Sequence, residues 1–320
     1  MNTEKFFQRI GYKGKLEDVS FDICQNFKLG DFVSNKLVTV GYEDFNYVLK
    51  TTRSSYFVKI FANFRTEKDC SGIIDIMSKV IDQGVAVPKL LKSKQGYLYE
   101  VKINNTKLRL CVMEYVDGED FLRSKQKVNP NEIKFITRQA ALINSLKIKP
   151  KSIYDSWAII NFAKEFRKKG KYLKPGDLKI VAPLMKEFKK LQIEKLPHCF
   201  IHGDIIKPNV MKDKHGKIWI IDFSVSGYYP RVQELAVLTC NLFFDEDSKS
   251  KSEENLKLAL KEYQKKIKLT ARELEALPVY IKLAHAMHIL LANYQKIVEK
   301  NNSKENEYFF RQGKLGLKQG

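Results

Sequence analysis

The segment from residue 200 to residue 223 carries three side chains suited to phosphate and metal chemistry. Asn209 follows Asp204 by five residues, and Asp222 follows Asp204 by 18 residues and precedes Phe223. A short apolar run precedes each acidic residue, which predicts two strands that each present a carboxylate at a C-terminal end. Phosphoryl transfer needs one carboxylate to orient the attacking hydroxyl group, and a second carboxylate with an amide oxygen to hold Mg²⁺. The ordered set therefore predicts phosphoryl transfer.

The block HGDIIKPNV, which contains Asp204 and Asn209, resembles the HGDxxxxN motif of the aminoglycoside phosphotransferase and choline kinase-like family, small-molecule kinases of the protein-kinase-like superfamily. The resemblance extends over residues 37–238. It implies that ATP is the phosphoryl donor, that Asp204 is the catalytic base, and that Asn209 and Asp222 are the Mg²⁺ ligands. Lys207 in the same block is open between a solvated loop lysine and a contact to a phosphate.

The resemblance also points to residues of the nucleotide site in the first part of the chain. Lys59, inside an apolar run, resembles the strand lysine of kinases and is expected to bind the α- and β-phosphates. Gly41 begins a turn-prone segment, residues 41–46, where the family has its short phosphate-covering loop. The segment lacks the repeated glycines of protein kinases, so its backbone has to hold the phosphates. Kinases pair the strand lysine with a helix glutamate, and Asp75, 16 residues after Lys59, is the expected partner here.

Residues 112–118 resemble the segment that joins the two lobes of a kinase. The resemblance implies that backbone groups of Glu114 and Val116 hydrogen-bond adenine and that Met113 packs near the base. A plain strand end followed by a turn has the same pattern and is the alternative interpretation.

The residues around the motif favour a small-molecule acceptor over a protein. Gly203 replaces the arginine that protein kinases pair with a phosphorylated activation loop, and only 12 residues separate Asp222 from Glu234, too few for a peptide-docking platform. The acceptor hydroxyl stays open among an amino alcohol, a sugar and an aminoglycoside, because fold analogy does not choose among them. Glu234 is expected to have a structural role, and residues 227–231 are predicted to form a compact turn.

Three histidines raise the question of acid–base chemistry. His202 is predicted to position the catalytic loop rather than to transfer protons. His285 and His288 are three residues apart and so share one face of a predicted helix. They are interpreted as half-buried structural residues, with a place in the lining of the acceptor pocket as the alternative.

Hydrophobic periodicity divides the chain into a strand-rich first part and a helix-rich second part. Strands are predicted at residues 36–40, 47–51, 56–61, 97–101 and 108–114. Helices are predicted at residues 67–83, 131–145, 159–169, 178–192, 253–267 and 272–300. The fold class is therefore α+β, and the resemblance implies a protein-kinase-like two-lobed fold with ATP in the cleft. Residues 1–116 form a β-rich, nucleotide-binding N-lobe, and residues 117–320 form a mostly helical C-lobe with the catalytic loop and the acceptor pocket.

Composition limits the class of protein. Of the 320 residues, 44% are hydrophobic and 29% are charged, which is ordinary for a soluble globular enzyme. Neither a membrane helix nor a signal peptide is expected, which predicts a cytoplasmic protein without a membrane partner. The five cysteines are scattered and never spaced C-x-x-C, which argues against a disulfide framework and a zinc site.

The net charge of +20 is spread over the whole chain and carried mostly by lysine. It is interpreted as a compositional bias, so no specific nucleic-acid partner is expected. Two alternatives to a kinase remain, a catalytically inactive, nucleotide-binding kinase-like interaction protein and a nucleic-acid-binding protein. The intact set of Lys59, Asp204, Asn209 and Asp222 speaks against the first, and no recognition motif supports the second.

Overall fold

The computed structural model of the protein describes residues 4–38, 44–151 and 154–319. The chain forms two compact units. The first contains residues 1–82 and 86–117, and the second contains residues 83–85 and 118–320. The first is built around a β-sheet and the second mainly from helices, so the predicted α+β class is confirmed.

An antiparallel sheet of five strands, ordered β1-β2-β3-β5-β4, forms the centre of the first unit within its described residues. The strands are β1 (Phe32–Val38), β2 (Phe45–Thr51), β3 (Ser55–Ile60), β4 (Tyr99–Ile103) and β5 (Thr106–Glu114). Each corresponds to a predicted strand. The alternation in β2, where Phe45, Tyr47 and Leu49 are fully buried, shows why period-2 patterning located these strands.

Helices cover both faces of this sheet. They are α1 (Glu4–Ile10), α2 (Leu16–Asn26) and α3 (Glu67–Asp82). Helix α3 was predicted, and it packs Cys70, Ile73 and Ile74 against the sheet before the chain turns at Gly84, whose φ of +80° suits glycine. The expectation of mainly strands overlooked α1 and α2, because α1 is short and the buried face of α2 shows only against the sheet.

The second unit is mostly helical. Its helices are α4 (Pro130–Asn144), α5 (Phe162–Lys169), α6 (Pro175–Val181), α7 (Leu184–Lys190), α8 (Val232–Asn241), α9 (Lys249–Tyr263), α10 (Ala271–Ile297) and α11 (Lys304–Gln319). Asn129 and Thr270 begin α4 and α10 through complete capping boxes. The single helix predicted over residues 178–192 is wrong, because the chain breaks at Pro183 between α6 and α7.

Short strands interrupt the helices of the second unit. They are β6 (Gly118–Asp120), β7 (His198–Ile201), β8 (Val210–Asp213), β9 (Ile218–Ile220) and β10 (Gly227–Pro230). Strands β6, β8 and β9 form one small antiparallel sheet, and β7 pairs with β10. The compact turn predicted at residues 227–231 is therefore wrong, since most of it is β10, whose Gly227 lies opposite Ile201.

Helix α10 is the long core helix of the second unit. Its most apolar 18-residue window has a mean hydropathy of 1.3, so by length and composition alone it is long enough to cross a membrane, contrary to the expectation of no such helix. Within that window 67% of the residues are buried inside the protein. Tyr280, Leu283 and Leu290 are fully buried among the other helices, which is the environment of a core helix.

Candidate active site

The three residues of the predicted catalytic set come together in the second unit. Strand β7 leads into Asp204, and the short turn before β8 carries Asn209. The Asn209 Nδ2 group donates hydrogen bonds to Asp204 Oδ2 at 2.7 Å and to the Asp204 carbonyl oxygen at 3.0 Å. The Ile221 N–H group donates to the Asn209 carbonyl oxygen at 3.0 Å, which holds the Asp222 segment beside the same loop. The residues of the motif therefore lie close together in the structure.

Asp204 lies in an environment that opposes its negative charge. Burial raises its pKa to about 8, and the neighbouring carboxylates of Asp155 and Asp222 act in the same direction. The hydrogen bond from Asn209 opposes this rise. A raised pKa makes the carboxylate form of Asp204 a stronger base, and it is this ionised form that accepts a proton from an attacking hydroxyl group.

Asp222 adopts an unusual backbone conformation directly after β9. Its φ is +68°, in the left-handed region that residues other than glycine seldom adopt. The Ser224 N–H group donates to Asp222 Oδ1 at 3.2 Å. Such local strain is kept where surrounding structure enforces it, and it concentrates at functional sites.

His202 connects the two acidic segments and is fully buried. Its Nδ1 atom accepts a hydrogen bond from the Asp204 N–H group at 3.2 Å, so its Nε2–H group donates to the Ile221 carbonyl oxygen at 3.2 Å. Its ring packs on Phe223, with ring centroids 4.4 Å apart. Burial lowers the pKa of His202 to about 4, so the ring is neutral at physiological pH. These contacts support the predicted positioning role.

A buried carboxylate below the loop holds its backbone in place. Glu234 Oε2 accepts from the His202 N–H group at 2.6 Å, and Oε1 accepts from the Gly203 N–H group at 3.3 Å. Gly203 has a φ of +81°, a conformation that glycine adopts without strain. Burial raises the pKa of Glu234 to about 7. The structural role expected for Glu234 is thus the support of the catalytic loop.

Asn144, at the C-terminal end of α4, belongs to the same support and was missed from the sequence. Its Nδ2 group donates to the Phe200 carbonyl oxygen at 3.1 Å and to Glu234 Oε2 at 3.3 Å, and its Oδ1 atom accepts from Tyr263 at 2.7 Å. The available signal was a polar residue on the apolar face of α4, four residues after Ala140.

Asp222 and Asn209 offer the donor set for a hard divalent cation. Since the Asn209 Nδ2 group already donates to Asp204, its Oδ1 atom is the one that can bind a metal ion. A carboxylate with an amide oxygen suits Mg²⁺, whose remaining ligands are phosphate oxygens and water in kinase sites. No group of three or more histidine, cysteine, aspartate or glutamate residues with metal-binding geometry occurs among the described residues.

The amino group of Lys207 makes a different contact from the phosphate contact considered above. Its Nζ atom lies 5.0 Å from the ring centroid of Tyr308 in α11, and burial lowers its pKa. The Lys207 N–H group donates to Asn241 Oδ1 at 2.8 Å. These contacts give Lys207 a packing role beneath the loop, because its side chain extends towards α11.

In the first unit, Lys59 lies in β3 opposite Asn46 of β2 and Cys111 of β5. Its side chain is 14% exposed, and its Nζ atom lies 3.7 Å from Asp44 Oδ2. The expected pairing with Asp75 is wrong. Asp75 is 58% exposed and pairs with Lys79 one turn further along α3, because it lies on the face of the helix opposite the packed residues. Gly41, predicted at the phosphate-covering loop, lies outside the described residues.

The residues predicted to contact adenine lie at the end of β5 and just after it. Met113 and Val116 are buried, and Met113 packs in a cluster with Phe61. The Glu114 N–H group donates to the Lys89 carbonyl oxygen at 3.0 Å. The predicted contact of Glu114 with adenine is therefore assigned to its backbone carbonyl group.

Two acidic residues of the second unit that the sequence did not single out affect Asp204 through their charges. Asp155 and Glu305 contribute to its raised pKa through their charges. Asp155 is held in place, since its Oδ1 atom accepts from the Trp157 N–H group at 2.8 Å and its carbonyl oxygen accepts from Asn161 at 2.6 Å. These acidic residues make the surroundings of Asp204 locally negative in a chain with a net charge of +20.

His285 and His288 do not belong to these surroundings. Both are buried in α10, and burial lowers their pKa values to about 3 and about 4. Their Nδ1 atoms lie 3.5 Å and 3.8 Å from Cys240 Sγ, and His288 also contacts Gln312. These contacts support the structural interpretation of the two histidines, which are more fully buried than expected.

Comparison with known proteins identifies the family to which this chain belongs. Residues 35–268 match the model of a family described as the phosphotransferase enzyme family. The homoserine kinase of Parvibaculum lavamentivorans is 22% identical over 281 residues, which are 85% of this chain and 83% of that protein. The match to the homoserine kinase of Rhodopseudomonas palustris is 27% identical over 75 residues, and so spans only 23% of either chain.

Solved structures with the same fold cover nearly the whole chain. An amicoumacin kinase, in complex with AMP-PNP, Ca²⁺ and Ami, has a TM-score of 0.68 at 17% identity, and the match covers 99% of this chain and 96% of that chain. A microcompartment-associated aminopropanol kinase has a TM-score of 0.66 at 13% identity, with 94% and 95% covered. At these identities the likeness shows the fold, and the predicted protein-kinase-like fold is confirmed.

Proposed function

Since this chain belongs to the phosphotransferase enzyme family, we propose that it transfers the γ-phosphoryl group of Mg-ATP to a hydroxyl group of a small molecule that also carries an amine. The observation that carries the proposal is the direct contact of Asp204 with Asn209 beside Asp222. Support also comes from the coverage of whole small-molecule kinase chains by the same fold.

Each residue of the site has a distinct role in the proposed reaction. Asp204 orients the acceptor hydroxyl group and, in its ionised form, takes the proton of that group. Asn209 and Asp222 hold Mg²⁺, which neutralises charge on the phosphates when it is bound. Lys59 binds the phosphate oxygens and adds a fixed positive charge as negative charge develops. His202 and Glu234 hold the loop backbone so that Asp204 does not have to reorganise.

An amine on the acceptor is inferred from the negative surroundings of Asp204. Asp155 and Glu305 place carboxylates near the base, and opposite charges attract a cationic group to this side of the loop. Among the similar proteins, the names of the homoserine and aminopropanol kinases specify acceptors that bear both an amine and a hydroxyl group. An acceptor of this kind would present its hydroxyl group to Asp204 while its ammonium group lies near Asp155.

The test is ATP turnover by the purified full chain with a panel of amino alcohols, each paired with the neutral alcohol that lacks the amine. We expect turnover with at least one amino alcohol and a much lower kcat/KM with its neutral partner. Asp204→Asn is expected to reduce kcat by at least about 100-fold, as loss of a general base does. Near-normal turnover by Asp204→Asn would contradict its assignment as the base.

The amine contact is tested separately with Asp155→Asn. It should raise the KM for amino alcohols more than the KM for neutral alcohols, because only the former lose an ion pair. Asp247→Asn, at a side chain that is 79% exposed, is the matched control and should change neither constant. Equal KM effects on charged and neutral acceptors would show that Asp155 does not recognise the amine.

A further inference from the structure

A buried carboxylate lies beside the predicted phosphate-binding lysine in the first unit. Asp44 directly precedes β2, and its side chain is 4% exposed. Its Oδ2 atom lies 3.7 Å from Lys59 Nζ, and its Oδ1 atom accepts from Arg65 Nε at 2.9 Å. The Ala62 N–H group also donates to Asp44 Oδ1, at 3.0 Å. One carboxylate thus contacts two cationic side chains and the backbone that follows β3.

We propose that Asp44 is the positioning residue of Lys59, in the role for which the sequence suggested Asp75. The proposal rests on the proposed function, in which Lys59 binds phosphate oxygens. Asp44 does not touch the nucleotide in this scheme. It acts by holding the Lys59 ammonium group where the phosphates arrive.

The register of the β2–β3 hairpin explains why Asp44 is suited to this role. Phe45 pairs with Ile60 and Asn46 pairs with Lys59, so Asp44 lies just beyond the last paired residue of β2. The hydrogen bond from Ala62 and the ion pair with Arg65 fix the carboxylate from the segment that follows β3. An anchored carboxylate can restrict a flexible lysine side chain, which otherwise loses conformational entropy when it binds a ligand.

The position of Asp44 also links the lysine to the phosphate-covering segment. Asp44 belongs to residues 41–46, the segment predicted to cover the phosphates, and its backbone carbonyl accepts from Arg9 Nη1 at 3.0 Å. In a kinase that uses a helix acid, movement of that helix breaks the ion pair. Here the acid lies just before β2 and the lysine lies in the adjacent strand β3, so the pair does not depend on the position of α3.

The test is a double-mutant cycle in the full chain, read as kcat and KM for Mg-ATP with the best acceptor of the panel. Asp44→Asn keeps the shape and an acceptor for the Ala62 N–H group but removes the charge. We expect it to lower kcat/KM for ATP by roughly 10- to 100-fold, in the range of a lost charge-assisted contact. In the background of Lys59→Gln, the same change should have little further effect, because the group that it positions is gone.

Two further variants separate positioning from mere stability. Arg65→Gln removes the other cation on Asp44 and should lower the Tm with a smaller loss of kcat/KM than Asp44→Asn. Asp75→Asn tests the rival pairing and should leave kcat/KM for ATP unchanged. Additive losses in Asp44→Asn and Lys59→Gln, or a loss in Asp75→Asn that is non-additive with Lys59→Gln, would overturn the proposal.

The same cycle read by thermal unfolding does not depend on catalysis. The Tm losses of Asp44→Asn and Lys59→Gln should be non-additive, because each variant alone leaves one charge of the pair buried. If the wild-type chain neither binds nor turns over ATP, the proposed function fails, whereas additive Tm losses show that the pair itself is absent. Should Asp44→Asn alone not fold, the double variant is compared with Lys59→Gln, and a further drop in kcat/KM overturns the proposal.

Discussion

At the scale of single residues, the two carboxylates of the site differ in what surrounds them. Burial raises the pKa of Asp204 to about 8, and the charges of Asp155 and Asp222 act in the same direction. Asp222 follows β9 with a left-handed backbone and accepts from Ser224. The proposed function gives these two residues of the same type different tasks, with Asp204 as the base and Asp222 as a metal ligand.

The raised pKa of Asp204 predicts a stability effect of Asp204→Asn. Between about pH 4, the ordinary pKa of aspartate, and about pH 8, the folded protein keeps a proton that the unfolded chain has lost. The contribution of Asp204 to stability therefore falls as pH rises through this range, and a neutral asparagine does not share this loss. We expect Asp204→Asn to unfold at a higher temperature than the wild type at pH 8 and at a similar temperature at pH 4.

Differential scanning calorimetry at the two pH values, without nucleotide or metal, measures this difference. A Tm gain of Asp204→Asn that is the same at pH 4 and pH 8 would show that the effect is not electrostatic. The prediction that ionisation of Asp204 destabilises the folded protein would then be wrong.

Asp222→Ala is predicted to weaken Mg²⁺-dependent nucleotide binding. Without this carboxylate, the charge of the phosphates is not neutralised by a properly held metal ion. Calorimetric titration with ATP, with excess Mg²⁺ and with a chelator, should show that the variant loses the benefit of Mg²⁺. Asp247→Ala, at an exposed side chain, serves as the control and should bind as the wild type does. Unchanged affinity in Asp222→Ala would exclude it as a metal ligand.

At the scale of the elements, the catalytic loop is held by hydrogen bonds with neighbouring helices. Strands β7 and β8 flank it, α8 supplies Glu234, and α4 supplies Asn144.

Helix α11 packs along α10, and Gly313 makes this approach possible. A Cβ atom at Gly313 would lie 2.6 Å from the carbonyl oxygen of His285. The backbone of a core helix cannot move away from such a contact without loss of packing.

Gly313→Ala is therefore expected to destabilise the protein by about 1–3 kcal/mol through overpacking, despite the better helix propensity of alanine. Gly72→Ala in α3 is the matched control, since nothing lies within 4 Å of its Cβ position. It should stabilise the protein by roughly 0.5–1 kcal/mol. Urea unfolding of both variants measures the difference, and equal effects would show that α11 does not approach α10 this closely.

At the scale of the whole molecule, the net charge of +20 contrasts with the acidic surroundings of Asp204. The lysines are distributed over the sequence of both units, whereas the acidic residues near the base come from separate segments that the fold brings together. A general positive field favours an approaching nucleotide, and a local negative site favours a cationic acceptor. The charge distribution thus suits two substrates of opposite sign.

If the positive charge acts only as a general electrostatic field, the protein should bind random duplex DNA weakly. It should release this DNA at physiological salt. A protein that contacts 6–10 phosphates would lose roughly 10³- to 10⁵-fold in affinity between 50 and 200 mM salt. Fluorescence anisotropy at two salt concentrations measures this slope. Tight binding at about 150 mM salt with a steep slope would support a nucleic-acid function, and we expect ATP turnover to be unaffected by added DNA.

Much of the fold could be predicted because its signals are local. Strands β2 and β3 and helices α3, α4 and α10 follow from residue periodicity and capping residues within each segment. Helix α11 was missed because Gly313 and a second glycine lower its helix propensity. Both glycines allow the close contact with α10. Its stability comes from tertiary packing, which propensity does not contain.

The sequence by itself indicated the reaction class, because the residues predicted to carry it, Asp204, Asn209 and Asp222, lie within one short stretch of chain. Only the tertiary structure decided the partners of these residues. Lys59 pairs with Asp44 instead of Asp75, and Asn144 bonds Glu234 across 90 residues of sequence. Spacing along a helix or strand specifies which residues share a face, whereas contacts between distant segments depend on how those faces pack.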